Sequence, residues 1–195
     1  YPAQGGGVYT KGSSITINDT VIDSNISKGG DVNIIGNIGA YAYAGYSYGG
    51  GIYSEITSLS LATCVISQNL SAGGSIIFLS PGDGLKQPGS AFGGGLFSDN
   101  LESIKSSSIV KNTVTMGSGS ISELFEVVEK GGGIYSLNGD FNTLKNVILW
   151  SNNAKQLTEL SEVRAKLGEI QVTAKAQENI LNSTYQWEIR NLSRE

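Results

Sequence analysis

Polar and apolar residues alternate along several short stretches of this chain. In Ser14–Asn18 and Ser58–Ala62, isoleucine or leucine occupies every second position, between serine, threonine and other small residues. An alternation of period two places the apolar side chains on one face of a β-strand. Helix signals are weak over most of the chain, so the pattern predicts an all-β fold built from short strands with one apolar face each.

A six-residue block built on three glycines recurs four times, starting at residues 5, 49, 93 and 131. Each block continues with an aliphatic residue, an aromatic residue and a threonine or serine. The starts lie 44, 44 and 38 residues apart. An apolar stretch after each block ends on an asparagine, 17 to 19 residues beyond the third glycine: Asn25, Asn69, Asn112 and Asn152. One such unit cannot bury its apolar face alone, so the copies are expected to stack along an axis.

These landmarks predict a right-handed parallel β-helix, a solenoid, over residues 1–154. The glycines suit tight corners, and stacked asparagines can form an internal hydrogen-bonded ladder. The hand follows from the general chirality of parallel crossovers. The spacers 26–48, 70–92 and 113–130 contain apolar bursts, so we expect them to form long inserts that stack at one corner.

The composition changes in the last part of the chain, where glycine almost disappears and charged residues become frequent. Four aliphatic residues at spacings of 3, 3 and 4 define one helical face: Leu157, Leu160, Val163 and Leu167. The segment 155–195 is therefore predicted to hold a short capping helix over about 155–167 and then strands at 168–174 and 180–190. A helix that docks a partner is the alternative to one that covers the solenoid.

The composition excludes several classes of function. The chain has 195 residues, no histidine, one cysteine and a net charge of −4. Without histidine there is no Ser-His-Asp triad and no histidine-ligated zinc, and one cysteine cannot build a disulfide framework. The scattered Lys and Arg residues form no basic patch for nucleic acid. The apolar runs are too short to span a membrane, and we expect no cofactor.

The glycine blocks resemble those of a known group of repeat proteins. Gly49–Ser54 and Gly131–Ser136, with the following Leu59–Asn69, resemble secreted bacterial β-helix proteins, namely the polymorphic outer-membrane-protein repeats of autotransporter passengers and the choice-of-anchor repeats. Asn146–Ala154 is similar to a rung that recurs in them. The resemblance implies a secreted or cell-surface stalk, passenger or adhesin without fixed enzymatic residues.

Glu55 and Asp99 are the acidic residues that best match in repeat position, since they follow Ser54 and Ser98 directly. Glycoside hydrolysis uses two carboxylates about 5–9.5 Å apart, and adjacent rungs lie about 4.8 Å apart. The other acids occupy different repeat phases, so no catalytic residues are predicted. We interpret the pair as a solvated corner of like charges, with calcium binding as the weaker alternative.

An alternating aromatic run precedes the second glycine block. It consists of Tyr41, Tyr43, Tyr46 and Tyr48, and Phe92 holds the place of Tyr48 one repeat later. The rings either pack against the neighbouring rung or form a surface that binds a glycan or a protein.

Several asparagines match the N-glycosylation pattern. Asn25 and Asn69 are expected in the ladder, where a glycan cannot fit. In a eukaryotic protein the better acceptors would be Asn18, Asn182 and Asn191.

Together these observations favour a non-enzymatic extracellular or cell-surface β-helix, structural or adhesive, that presents stacked loops for binding or assembly. The alternative is a carbohydrate-binding or carbohydrate-active β-helix protein. The first block begins at Gly5, and the open end of a solenoid is an unpaired edge. We therefore expect the N-terminal rung to contact protein in the working assembly.

Overall fold

The computed structural model consists of stacked β-strands. It describes residues 1–12, 14–34, 41–78, 86–119, 126–137, 140–154, 164–165, 171–176 and 184–190. All regular secondary structure in these ranges is strand. Every strand pair is parallel except those made by the final strand, which pairs antiparallel with its neighbours.

The strands group into four coils and a C-terminal segment. Coil 1 contains β1 (Ala3–Gln4), β2 (Val8–Lys11), β3 (Ile15–Asn18), β4 (Val21–Asp23), β5 (Ile26–Lys28), β6 (Val32–Ile34) and β7 (Ala42–Tyr43). Coil 2 contains β8 (Ser47–Tyr48), β9 (Ile52–Ala62), β10 (Val65–Ser67), β11 (Leu70–Ala72), β12 (Ile76–Phe78) and β13 (Lys86–Gln87). Coil 3 contains β14 (Ala91–Phe92), β15 (Leu96–Lys105), β16 (Ser108–Val110) and β17 (Thr113–Thr115). Coil 4 contains β18 (Glu129–Lys130), β19 (Ile134–Ser136), β20 (Asp140–Lys145) and β21 (Val147–Asn153), and it is followed by β22 (Arg164–Ala165), β23 (Gln171–Ala176) and β24 (Thr184–Arg190).

Equivalent strands of successive coils pair in register. Val8 pairs with Ile52, Ile52 with Leu96, and Leu96 with Ile134. The glycine blocks therefore lie directly above one another. Parallel stacks of this kind form the extended sheets of the body, with orders β1-β8-β14-β18 and β4-β10-β16-β21 among them. The predicted all-β, parallel solenoid is confirmed at this level, while its right-handed sense stays a prediction from chirality.

The core lies inside the coils, on the apolar face predicted by the alternation. Ile52, Leu59, Leu61 and Ile66 of coil 2 are fully buried and pack with their counterparts in coils 1, 3 and 4. Cys64 is also buried in this cluster, as a free thiol.

Each coil turns its corners with residues at positive φ, and it uses three such positions. One is the first glycine of each block. The other two positions hold residues with side chains, in one column Asp19, Thr63, Ser106 and Asn146, and in the other Ser24, Gln68, Lys111 and Ser151. At the glycine corner no side chain fits, because a Cβ on Gly49 would lie 2.1 Å from the carbonyl oxygen of Ile52.

The inserts of coils 1 and 2 stack on each other as separate small sheets. β6 pairs with β12, and β7 pairs with β13, both in parallel. Ala42, Ala44 and Ile76 form a second buried cluster between them, with Val32 against it. We call residues 31–44 and 75–88, as far as they are described, the insert lobe.

The C-terminal segment departs from the predicted helix. Of the expected helix over 155–167, residues 155–163 and 166–167 lie outside the described residues. The remaining two, Arg164–Ala165, form β22, which pairs in parallel with Asp140–Phe141. The described residues of this segment therefore show no helix, and Arg164–Ala165 satisfy backbone groups by pairing with the edge of the sheet. β24 pairs antiparallel with β21 and β23, so it covers the edge of coil 4.

Candidate functional site

A column of stacked aromatic rings runs along the outside of the coils. Its members are the fifth residues of the glycine blocks: Tyr9, Tyr53, Phe97 and Tyr135. Their ring centroids are 5.5, 5.1 and 5.4 Å apart, with interplanar angles of 12°, 19° and 20°. This column was not among the sites predicted from the sequence, although the aromatic residue at the fifth position of every block was its signal. We call it the aromatic column.

A second, shorter stack lies beside the aromatic column. Tyr48 stacks on Phe92 at 5.3 Å between centroids and 10° between planes. Tyr48 also meets Phe97 edge-on at 5.1 Å, and Phe92 lies 5.2 Å from Tyr135. Tyr46 makes a T-shaped contact with Tyr48 at 6.4 Å. The faces of these rings are therefore occupied by one another.

The structure divides the five predicted aromatic residues into two groups. Tyr46, Tyr48 and Phe92 pack into the stacks just described and are only partly exposed. Tyr41 and Tyr43 are 69% and 54% exposed and flank a buried alanine on the insert lobe. Only these two present a large part of their rings to solvent.

Polar side chains contact the rims of the rings. Gln4 Nε2 donates to the hydroxyl of Tyr53 over 3.2 Å, and Gln87 Nε2 donates to that of Tyr46 over 3.0 Å. Burial, followed by the charges of Glu55 and Asp99, raises the pKa of Tyr53 to about 12. The Tyr53 phenol therefore stays protonated at neutral pH.

Glu55 is held by neighbours from coil 1. Its Oε1 lies 3.0 Å from Lys11 Nζ, and its Oε2 accepts a hydrogen bond from the Tyr9 hydroxyl over 3.3 Å. Ser54 pairs in register with Ser98, so the residues that follow them, Glu55 and Asp99, lie near each other on adjacent coils. In the described part of the chain, no three His, Cys, Asp or Glu side chains are grouped as a metal site would require.

The four asparagines form one internal column. Asn25, Asn69 and Asn112 each donate from Nδ2 to Oδ1 of the asparagine in the next coil, over 2.9–3.0 Å. The same three residues donate from the backbone N–H to that oxygen. Asn69, Asn112 and Asn152 also donate from Nδ2 to a carbonyl of the preceding coil, over 2.9 Å. The side-chain amides thus form hydrogen bonds with backbone N–H and C=O groups as well as with each other.

The three candidate glycosylation residues fall in different places. Asn18 is exposed at the end of β3, whereas Asn182 and Asn191 lie outside the described residues. Across the described ranges, no helix has the length and hydropathy needed to cross a bilayer.

Comparison of the chain with protein-family models, with curated protein sequences and with solved structures gave no match. The parallel solenoid therefore stands on the strand pairing itself. The resemblance of the glycine blocks to one repeat family remains an expectation.

Proposed function

We propose that the chain is a non-enzymatic extracellular or cell-surface β-solenoid, structural or adhesive, that presents its stacked inserts to a binding partner. The observation that carries this proposal is the in-register pairing of the inserts. Val32–Ile34 pairs with Ile76–Phe78, and Ala42–Tyr43 with Lys86–Gln87. Inserts held by paired strands present a surface of defined shape, which suits recognition of a partner.

Two further observations support this proposal. Glu55, the acid best matched to a partner in the next coil, is engaged by Lys11 and Tyr9. Resemblance to secreted repeat proteins supports an extracellular location. A solenoid with internal ladders also suits a stalk, because each coil needs contacts only with its neighbours.

Carbohydrate binding is the second candidate function, and a specific observation favours it. Tyr41 and Tyr43 are 69% and 54% exposed on the insert lobe. Tyrosine offers an apolar face and a polar hydroxyl in one side chain, which suits a sugar ring.

The test is to remove the insert lobe and keep the coils. Gly45 N–H donates to Gly30 O over 2.9 Å, and Gly89 N–H to Gly74 O over 2.8 Å. Replacing 31–44 and 75–88 each by a Gly-Ser link turns these contacts into the i to i+3 hydrogen bonds of β-turns. Circular dichroism would check that the strands remain.

Beads coated with the full chain or with the variant would be tested on surfaces carrying matrix proteins or glycans. We expect the full chain to adhere to at least one surface and the variant to lose that adhesion. Trp150→Ala, which removes an exposed ring in coil 4 outside the insert lobe, is the control that should adhere normally. Equal adhesion of the insert variant would overturn the proposal, as would release of reducing ends from a polysaccharide by the full chain.

A further inference from the structure

A seam of glycines separates the insert lobe from the coils. Backbone hydrogen bonds of 2.8–2.9 Å connect five glycines along the axis: Gly45 N–H to Gly30 O, Gly74 N–H to Gly45 O, Gly89 N–H to Gly74 O, and Gly117 N–H to Gly89 O. A Cβ on Gly89 would lie 1.9 Å from Gly45 O, so the seam is too tight for side chains. The backbone itself therefore closes the coil beneath each insert.

Above this seam the lobe has its own inside and outside. Ala42 and Ala44 are buried in the lobe's small core, next to Ile76. Tyr41 and Tyr43 alternate with these alanines and therefore stand on the outer face. Asp31 Oδ1 accepts a hydrogen bond from Ser75 N–H over 2.7 Å and so ties the two inserts together at their base.

We propose that Tyr41 and Tyr43 form the contact surface of the insert lobe for a neutral polysaccharide chain. This inference rests on the proposed function and names the ligand of that surface. The two tyrosines are two residues apart along an extended segment, so their Cα atoms lie about 7 Å apart. Two exposed rings on one face can contact neighbouring units of an extended chain.

The face around these rings carries no formal charge among the described residues that lie on it. Gln87 pairs in register with Tyr43 and therefore shares its face, and Gln87 Nε2 donates to the hydroxyl of Tyr46. Lys86 pairs with the buried Ala42 and so lies on the opposite face. Lys28, at the base of the lobe, is neutralised by Asp31 at 2.7 Å. The described residues of this face therefore offer a polyanion no electrostatic attraction.

The chemistry of the two side chains suits a polysaccharide. Tyr41 and Tyr43 are 69% and 54% exposed on the outer face of the lobe. Each offers an apolar ring and a polar hydroxyl, which match the apolar face and the hydroxyl groups of a sugar.

The experiment is affinity electrophoresis of the full chain in gels containing a neutral polysaccharide, either a soluble β-glucan or a galactomannan, with heparin and hyaluronate as anionic probes. We expect at least one neutral polysaccharide to retard the chain and neither polyanion to do so. The double variant Tyr41→Ala/Tyr43→Ala should weaken this binding at least tenfold. The double phenylalanine variant should keep most of it, because stacking needs the ring, and Trp150→Ala should bind as the unchanged chain does.

The possible outcomes separate this inference from the proposed function. Retardation that survives the double alanine variant, or retardation by the polyanions alone, would overturn the inference. So would an absence of neutral-polysaccharide binding in a chain that still adheres to protein-coated surfaces through its inserts, which would leave the proposed function standing. Adhesion that does not depend on the inserts at all would overturn both.

Discussion

The asparagine column inside the coils and the aromatic column outside them repeat one kind of residue per coil, yet they stabilise the stack differently. Asn69 and Asn112 are almost fully buried and use both amide atoms in hydrogen bonds. Tyr53 and Phe97 are 7% and 4% exposed although they lie on the outer face, because rings above, below and beside cover them. The inner column requires one particular side chain, whereas the outer column requires only a flat ring.

The largest expected effect is loss of one inner amide. Asn112→Leu keeps the shape but removes four side-chain hydrogen bonds with Asn69, Asn152 and Ile66. Buried partners would be left unsatisfied, so we expect the free energy of unfolding to fall by about 3–5 kcal/mol. Chemical denaturation measures it. Asn25→Leu, at the partly exposed end of the column, should lose only about 1 kcal/mol. Equal losses at both positions would contradict the ladder's role.

The outer column should tolerate a change of ring but not its removal. Phe97→Tyr, which copies Tyr53 and Tyr135 of the neighbouring coils, should change the free energy of unfolding by less than about 0.5 kcal/mol. Phe97→Leu keeps an apolar side chain but loses stacking on both rings, and should cost about 1–2 kcal/mol. A costly Phe97→Tyr variant would show that the column is as demanding as the asparagines.

A third pair of variants measures the stability change at a corner position that belongs to neither column. Thr63 and Asn146 occupy the same corner in coils 2 and 4, at φ of 57° and 55°. A β-branched residue is strained there, and asparagine is not. We expect Thr63→Asn to raise the free energy of unfolding by about 1 kcal/mol and Asn146→Thr to lower it by a similar amount. Thermal unfolding of both variants would check this, and a change of the same sign in both would refute it.

The smallest expected change in stability at neutral pH comes from removing the Tyr53 hydroxyl. This change becomes larger only at alkaline pH. The pKa of Tyr53 is about 12 in the folded chain, against an ordinary value near 10. The contribution of the protonated Tyr53 phenol to the free energy of unfolding is therefore intact below pH 10 and is lost as the pH rises through 12. Melting temperatures from pH 9 to 12 should fall more steeply for the unchanged chain than for Tyr53→Phe. Parallel curves would show that burial of this phenol does not affect folding.

The coils could be predicted from sequence because their landmarks recur at the coil period. A residue in a solenoid meets the same position of the next coil, so the spacing of the glycine blocks already specifies which strands pair. The alternation in Ser58–Ala62 likewise indicates which side chains face inward, and Leu59 and Leu61 are buried.

The exposure of the aromatic residues could not be predicted in the same way. Whether Tyr48 or Tyr43 meets solvent depends on side chains of the adjacent coil, which a spacing within one insert does not describe. The structure places Tyr48 against Phe92 and Phe97 and leaves Tyr43 largely exposed. Outside the repeats, the helical spacing of four aliphatic residues could not reveal that Arg164–Ala165 pairs with Asp140–Phe141, since sheet edges are long-range partners.

The hydrogen bonds between coils point along the axis of the solenoid, which has a mechanical consequence. When the chain is pulled along that axis, the interfaces between coils act as links in series, and each carries the whole force. The coil with the weakest interface opens first, and more distant coils stay folded because each coil contacts only its neighbours. Each unfolded coil of 38–44 residues then adds about 130–150 Å to the length of the chain at full extension. Under load the protein would therefore lengthen in steps, one coil at a time, and would not unfold in a single event.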